Sequence, residues 1–147
     1  MTVGSDCYPT KGSWTCPYSG RTHTVPANVD IDHMVPLKNA WIVSPPILVQ
    51  PLEIVDLVAD VSAQSGASSW TTTRRTQFAN DVSGPQLWAT DGSTNSAKGD
   101  KSPDAWKPPL TGIWCTYAKS WIQVKSTYSL RISSAEKSAL STMLDRC

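Results

Sequence analysis

The stretch Asp30-Ile31-Asp32-His33-Met34-Val35-Pro36 sets two carboxylates beside one of the chain's two histidines. Val29 to His33 alternates apolar and polar residues, the period of a half-buried strand. Pro36 has no N–H to give a ladder and predicts the strand's end, and Leu37 to Trp41 predicts the start of a helix. A carboxylate next to an imidazole can hold a hard divalent cation while the imidazole works as a base. An unperturbed histidine titrates at about 6.5, so such a ring is available as a neutral base near pH 7. Taken alone, Asp32-His33 also reads as a surface pair capping a turn.

Downstream, Gln86 to Thr90 predicts a second short strand, and Asp91-Gly92-Ser93 a turn. Asn95 follows, with Lys98 three residues on. An oxygen of Asp32 and the amide oxygen of Asn95 together suit a Mg²⁺-like ion that keeps several waters, and His33 would then deprotonate water for attack on phosphorus. Asn95 alone is an ordinary turn or cap residue, and Lys98, Lys101 and Lys107 alone are ordinary solvated charges. His23 reads as a loop histidine.

The remaining elements are read from periodicity and caps. Met1 to Ala27, rich in Gly, Ser, Thr and Pro, reads as irregular hairpins and loops. Ser69 to Val82 predicts a helix with Ser68 or Ser69 as cap, its apolar side formed by Trp70, Phe78 and Val82, and Arg74 and Arg75 facing solvent. Ser102-Pro103 reads as a helix start. Trp114, Tyr117, Ala118, Trp121, Val124 and Tyr128 follow helical spacing. Ser133 with Glu136 fits a capping box for a last helix carrying Ala139, Leu140, Met143 and Leu144.

The chain's 147 residues suffice for one domain with one core, and 39% apolar against 17% charged residues is not the composition of a disordered tail. Most of the seven tryptophans belong to the core rather than to a base-stacking platform. A net charge of +1 argues for weak, salt-sensitive, sequence-independent contact with any nucleic acid. The most apolar stretch, Ile42 to Val61, is broken by three prolines and by Glu53, Asp56 and Asp60, so no membrane partner is expected. No protein partner is inferable.

Four cysteines allow three pairings, and none forms a C-x-x-C metal pattern. Cys115 lies near the start of one predicted helix and Cys147 at the end of the next, so antiparallel packing predicts a Cys115–Cys147 disulfide. Cys7–Cys16 follows by elimination. Two disulfides point to secretion. The chain nevertheless begins Met1-Thr2-Val3-Gly4-Ser5-Asp6, which has no signal-peptide character.

The chain resembles the HNH (ββα-metal, His-Me finger) endonucleases, in particular their secreted bacterial and fungal branch, related to the C-terminal domain of GmrSD-type restriction enzymes. Asp30 to Leu37 (DIDHMVPL) matches the D-x-D-H-x-x-P motif. Lys38-Asn39-Ala40-Trp41, Ser65 to Trp70, Phe78 to Asp81, Asn95 to Lys101 with Pro103, Trp106, Lys107 and Pro108, and Cys115 to Lys119 follow in the family's order. A lone D-H-x-x-P is weak; the ordered set is specific and covers nearly all of the chain except Ile42 to Gln64.

The resemblance implies an α+β domain, residues 1–147, with a ββα-metal core, added helices and a disulfide staple. It implies a secreted hydrolase that cuts DNA, with RNA as an open alternative, using Mg²⁺ or in its place Mn²⁺ or Ca²⁺. His33 takes the general base's place, and Asp32 and Asn95 those of the metal ligands. Asp30 is expected to orient the site. Lys98 falls on the N-x-x-K position, to contact a phosphate or to stabilise its helix. Gln86 stands where bacterial relatives often carry an Asn that orients the histidine, which leaves its role open.

Relatives join the Asn-Ala-Trp motif to Ser-Gly-Ala-Ser almost directly; here twenty-three residues intervene. They begin Ile-Val-Ser and end Ala-Gln before Ser65, compatible with splice-donor and splice-acceptor codons. The segment 42–64 is therefore expected to be a translated, retained intron, a reading that ungapped transcript reads across it would dismiss. Relatives also carry an upstream segment with a further cysteine and a secretion signal. The start is accordingly expected to be truncated, which leaves Cys7 a second possible partner. The rival reading is an inactive or misassembled nuclease-like protein with at most nucleic-acid binding.

Overall fold

The computed structural model describes residues 1–5, 8–41 and 66–147. Cys7 and the expected insertion at 42–64 lie outside the described residues. In chain order the elements are β1 (Thr2–Val3), β2 (Pro9–Lys11), β3 (Trp14–Thr15), β4 (Thr22–His23), β5 (Val29–His33), α1 (Leu37–Trp41), α2 (Thr72–Ala79), β6 (Leu87–Asp91), α3 (Gly92–Lys98), α4 (Trp114–Thr127) and α5 (Ser134–Leu144). The domain is mixed α+β. Its strands pair two by two as β1–β2, β3–β4 and β5–β6.

β5 and β6 run antiparallel, with Asp30 opposite Thr90, Asp32 opposite Trp88 and His33 opposite Leu87. α3 leaves directly from the end of β6, so β5, β6 and α3 form a strand–strand–helix unit. Met34 and Val35, just beyond His33, are both 0% exposed and fix that strand end in the core. There they join Tyr18, Tyr117, Trp121 and Met143. Tyr18 stacks on Trp88 with centroids 5.5 Å apart, which carries the core up to the ribbon.

Several expectations need correction. Asp91-Gly92-Ser93 is not a free turn: Asp91 is the N-cap of α3, its carboxylate accepting the Thr94 N–H at 2.8 Å. The residue types that favour turns also favour caps, because both use a short polar side chain to satisfy a backbone amide. Ser102-Pro103 opens only a single turn, in which the amides of Ala105 and Trp106 both bond the Ser102 carbonyl. Pro108 and Pro109 follow closely; neither can donate an amide, and Pro108 biases Lys107 away from helical angles. α2 begins later than expected, with Thr71 as its cap, and ends before Val82, which is 86% exposed.

At the other end of the chain, Ser133 and Glu136 form the expected capping box of α5. Glu136 also accepts from Trp121 Nε1 at 2.8 Å. Lys125 Nζ, 3.3 Å from Glu136, reaches Asn39 of α1 at 3.0 Å and so ties the helix after β5 to the C-terminal pair. A Cys115–Cys147 disulfide closes that pair, with 5.2 Å between the Cα atoms. Cys16 is buried and free; the expected Cys7–Cys16 bond involves a residue outside the described ones. Among the described residues no helix is long and apolar enough to cross a membrane.

Candidate active site around His33

The backbone beyond His33 is clamped by Gln86. This fully buried side chain accepts the Val35 N–H at 3.1 Å and donates to the Val35 carbonyl at 3.0 Å, while the Gln86 carbonyl accepts the Met34 N–H at 2.7 Å. A carboxamide carries both the acceptor and the donor needed to satisfy the two backbone groups of Val35 at once. Gln86 therefore sets the course of the chain where the histidine side chain leaves it.

His33 Nε2 lies 2.9 Å from the carbonyl oxygen of Ala79, the last residue of α2. A carbonyl only accepts, so Nε2 carries a proton, and in the neutral ring the lone pair is then on Nδ1. Ala79 was not singled out in the sequence; a backbone carbonyl leaves no residue-type signal. The orphan carbonyls of a helix's last turn are, however, the groups that seek such a donor.

Asp32 is almost wholly buried. Tyr18 donates its hydroxyl at 2.6 Å and Lys98 its ammonium at 2.8 Å. The Lys98 ammonium also reaches the His33 carbonyl at 2.7 Å, and its side chain is fully buried. Burial pushes the Lys98 pKa down, and Asp32 pulls it back up without cancelling the shift. Burial, and then the Asp32 charge, push the Tyr18 pKa far up, so Tyr18 acts as a hydrogen-bond donor. Tyr18 sits in the Gly- and Ser-rich N-terminal region and gave no sequence signal.

Asn95 donates from Nδ2 to Asp30 Oδ2 at 3.3 Å. Residues 95 and 98 share one face of α3, and residues 30 and 32 share one face of β5, so helix and strand meet in register as Asn95–Asp30 and Lys98–Asp32. Strand alternation sends His33 to the other face. The expected trio is thus engaged separately: Asp32 with Lys98 and Tyr18, Asn95 with Asp30, and His33 with Ala79.

Asp91 anchors the far end of the unit. It accepts from Ser19 at 2.6 Å, Ser93 at 2.7 Å and Arg21 at 2.8 Å as well as from Thr94. Burial would raise its pKa, but hydrogen bonds from Ser19, Thr94 and Ser93 outweigh that and hold it well below the usual carboxylate range.

Among the described residues no cluster of three or more His, Cys, Asp and Glu side chains is arranged to hold a metal. The donors present do suit a hard cation bound by few protein ligands: two carboxylates on one strand face and an amide oxygen on the facing helix. Each Asp32 oxygen already accepts one bond, and a carboxylate oxygen has room for a second.

A family model for GmrSD restriction endonucleases, C-terminal domain, matches residues 6–143. The chain is 49% identical over 147 residues to an uncharacterized secreted protein of the fungus Arthroderma benhamiae, across 100% of this chain and 61% of that protein. It thus spans about three-fifths of that relative's length. No solved structure matches.

Proposed function

Because the chain belongs to the family of GmrSD restriction endonuclease C-terminal domains, we propose that it is an HNH-type, metal-dependent endonuclease. Its substrate is DNA, with RNA as the alternative, cut with little sequence preference. The observation that carries this reading is the bond from His33 Nε2 to the Ala79 carbonyl at 2.9 Å, which leaves Nδ1 as the basic nitrogen. Nδ1 takes a proton from water, the water oxygen bonds to phosphorus, and the bond from phosphorus to the 3′-oxygen breaks. The leaving oxygen takes up a proton from solvent, giving a 5′-phosphate and a 3′-hydroxyl.

A divalent ion such as Mg²⁺, with Mn²⁺ or Ca²⁺ as substitutes, would be held by Asp32 and Asn95 with Asp30 beside them, and would neutralise the charge that develops on the phosphate. Gln86 holds the backbone at the root of the base, and Lys98 docks α3 against β5 so that Asn95 stays near Asp30. The disulfide and the secreted relative favour action outside the cell.

One observation favours a second reading. Both Asp32 oxygens are engaged, by Tyr18 and Lys98, as in a purely structural ion pair. A domain in which that pair never opens to a cation would bind nucleic acid without cutting it. The protein incubated with supercoiled plasmid and Mg²⁺ decides. Nicking that stops with EDTA supports the nuclease; intact plasmid under Mg²⁺, Mn²⁺ and Ca²⁺ leaves the binding reading.

A further inference from the structure

We propose that Tyr18 is a positioning residue for the cation site: its hydroxyl sets the direction in which the Asp32 carboxylate presents itself to the metal. This rests on the metal-dependent reading above. Tyr18 donates to Asp32 Oδ2 at 2.6 Å, the length of a charge-assisted bond from a hydroxyl to a carboxylate. Lys98 holds the other oxygen at 2.8 Å. Each bond uses one lone pair and leaves another on the same oxygen. A carboxylate gripped at both oxygens does not swing to another rotamer, so the lone pairs left for a cation keep their directions.

The hydroxyl is itself held. Tyr18 is 0% exposed, and its ring is enclosed by other aromatic rings. Trp88 of β6 stacks on it at 5.5 Å, while Trp106, between α3 and α4, and Tyr117 of α4 meet it edge to face at 5.3 and 5.7 Å. Interiors are close-packed, so this ring does not turn aside without displacing its neighbours. The Leu110 amide bonds the Tyr18 carbonyl at 2.9 Å and fixes the backbone as well.

The residues around Tyr18 tie it to the second proposed ligand. Cys16 to Arg21 form a turn in which the Gly20 amide bonds the Cys16 carbonyl at 2.9 Å and the Cys16 amide the Arg21 carbonyl at 2.8 Å. Gly20 has φ +74°, a left-handed conformation that suits a residue without a Cβ. The turn sends Ser19, the next residue after Tyr18, to Asp91 at 2.6 Å. Asp91 caps α3, and Asn95 lies in the first turns of that helix. One turn thus reaches the carboxylate on β5 through Tyr18 and the helix that carries the carboxamide through Ser19.

The test reads metal binding apart from cleavage. Mn²⁺ is titrated into the full chain, and free Mn²⁺ is read from its electron paramagnetic resonance signal. Tyr18→Phe keeps the ring and removes only the hydroxyl, and should weaken binding by about 10- to 100-fold, the usual effect of losing the partner of a metal ligand. Tyr117→Phe is the control: its hydroxyl is buried in the same aromatic group without a hydrogen-bond partner among the described residues, so affinity should stay near wild type. In plasmid nicking, Tyr18→Phe should need more Mg²⁺ to reach half its full rate, yet approach the wild-type rate at saturation. A tyrosine that only supports the fold would lower the melting temperature and leave the Mg²⁺ requirement alone. If Tyr18→Phe does not fold, the wild type labelled with 3-fluorotyrosine takes its place. The Tyr18 fluorine signal, assigned by replacing the other tyrosines one at a time, should shift as Mg²⁺ is added.

Wild-type Mn²⁺ affinity and Mg²⁺ requirement in folded Tyr18→Phe, an equal loss with Tyr117→Phe, or a Tyr18 fluorine signal that ignores Mg²⁺ would each overturn the proposal. Wild type that nicks plasmid while Tyr18→Phe binds Mn²⁺ equally well would remove the role of Tyr18 and leave the nuclease. Weakened Mn²⁺ binding by Tyr18→Phe in a protein that cuts nothing would do the reverse. A wild type that binds no Mn²⁺ would remove both.

Discussion

His33 and Ala79 meet at 2.9 Å, imidazole N–H against a carbonyl at the end of α2. The contact engages Nε2 of the ring, the nitrogen that the proposed chemistry does not use. It also makes the orientation of the imidazole depend on where α2 ends. Thr71 caps the start of that helix, and the Asn80 amide bonds the Thr76 carbonyl at its finish. A helix of eight residues is too short to be stable alone, so the packing of Phe78 and Trp70 in the core, rings 5.3 Å apart, holds it in place.

Gln86 should prove essential to the strand end. Gln86→Ala leaves a buried N–H and a buried carbonyl of Val35 without partners, at a cost of about 2–4 kcal/mol. Gln86→Glu keeps the acceptor but loses the donor and buries a carboxylate against the Val35 carbonyl, so it should be at least as destabilising as Ala. Urea melts order the three proteins; equal stability for all three would contradict the clamp.

The buried pair of Lys98 and Asp32 should be costly to break on one side. Lys98→Met strands a buried carboxylate and is expected to destabilise by about 3–5 kcal/mol. Adding Asp32→Asn removes the stranded charge and should recover part of that loss. A double-mutant cycle on thermal melts reads the coupling, and strictly additive losses would argue against a coupled buried pair.

These two contacts mark where sequence reading stops. β5 was legible to the residue because five alternating positions run into a proline, and the α5 cap because Ser133 and Glu136 sit three apart. The Cys115–Cys147 bond followed from where two predicted helices begin and end. Lys98 was ambiguous because a lysine three residues after an asparagine looks solvated until Asp32 and Tyr18, far away in the chain, close around it. Asn95 reads in the sequence as a turn or cap residue, whereas the structure sets it inside α3, where it donates to Asp30. Tyr18 and Asp91 went unseen, since a tyrosine among glycines and serines and an aspartate before a glycine are ordinary loop residues in sequence terms.

Acid should weaken the junction between β6 and α3. The hydrogen bonds of Asp91 depress its pKa below the unfolded value of about 3.9. Its contribution is therefore complete above that value and is lost as pH falls below it. Asp91→Asn should be less stable than wild type at pH 7 by about 1–2 kcal/mol, in line with a weakened cap, and should lose less on going from pH 5 to pH 2. Parallel pH curves for the two proteins would contradict this.

The disulfide should carry a large share of the stability. It closes a separation of 32 residues. By the chain-entropy model, opening such a loop costs about 3–4 kcal/mol. Cys115→Ser with Cys147→Ser should therefore melt well below the oxidised wild type and close to the reduced wild type. A melting temperature that does not respond to reductant would count against it.

The most direct measurement compares single-turnover nicking of supercoiled plasmid in Mg²⁺ by wild type and by His33→Ala, with folding of both verified by near-UV circular dichroism. A general base is worth about 10²- to 10⁴-fold, so the variant should be slower by at least the lower figure while its melting temperature shifts little. A folded His33→Ala protein that nicks as fast as wild type would contradict the assignment of His33 as the base.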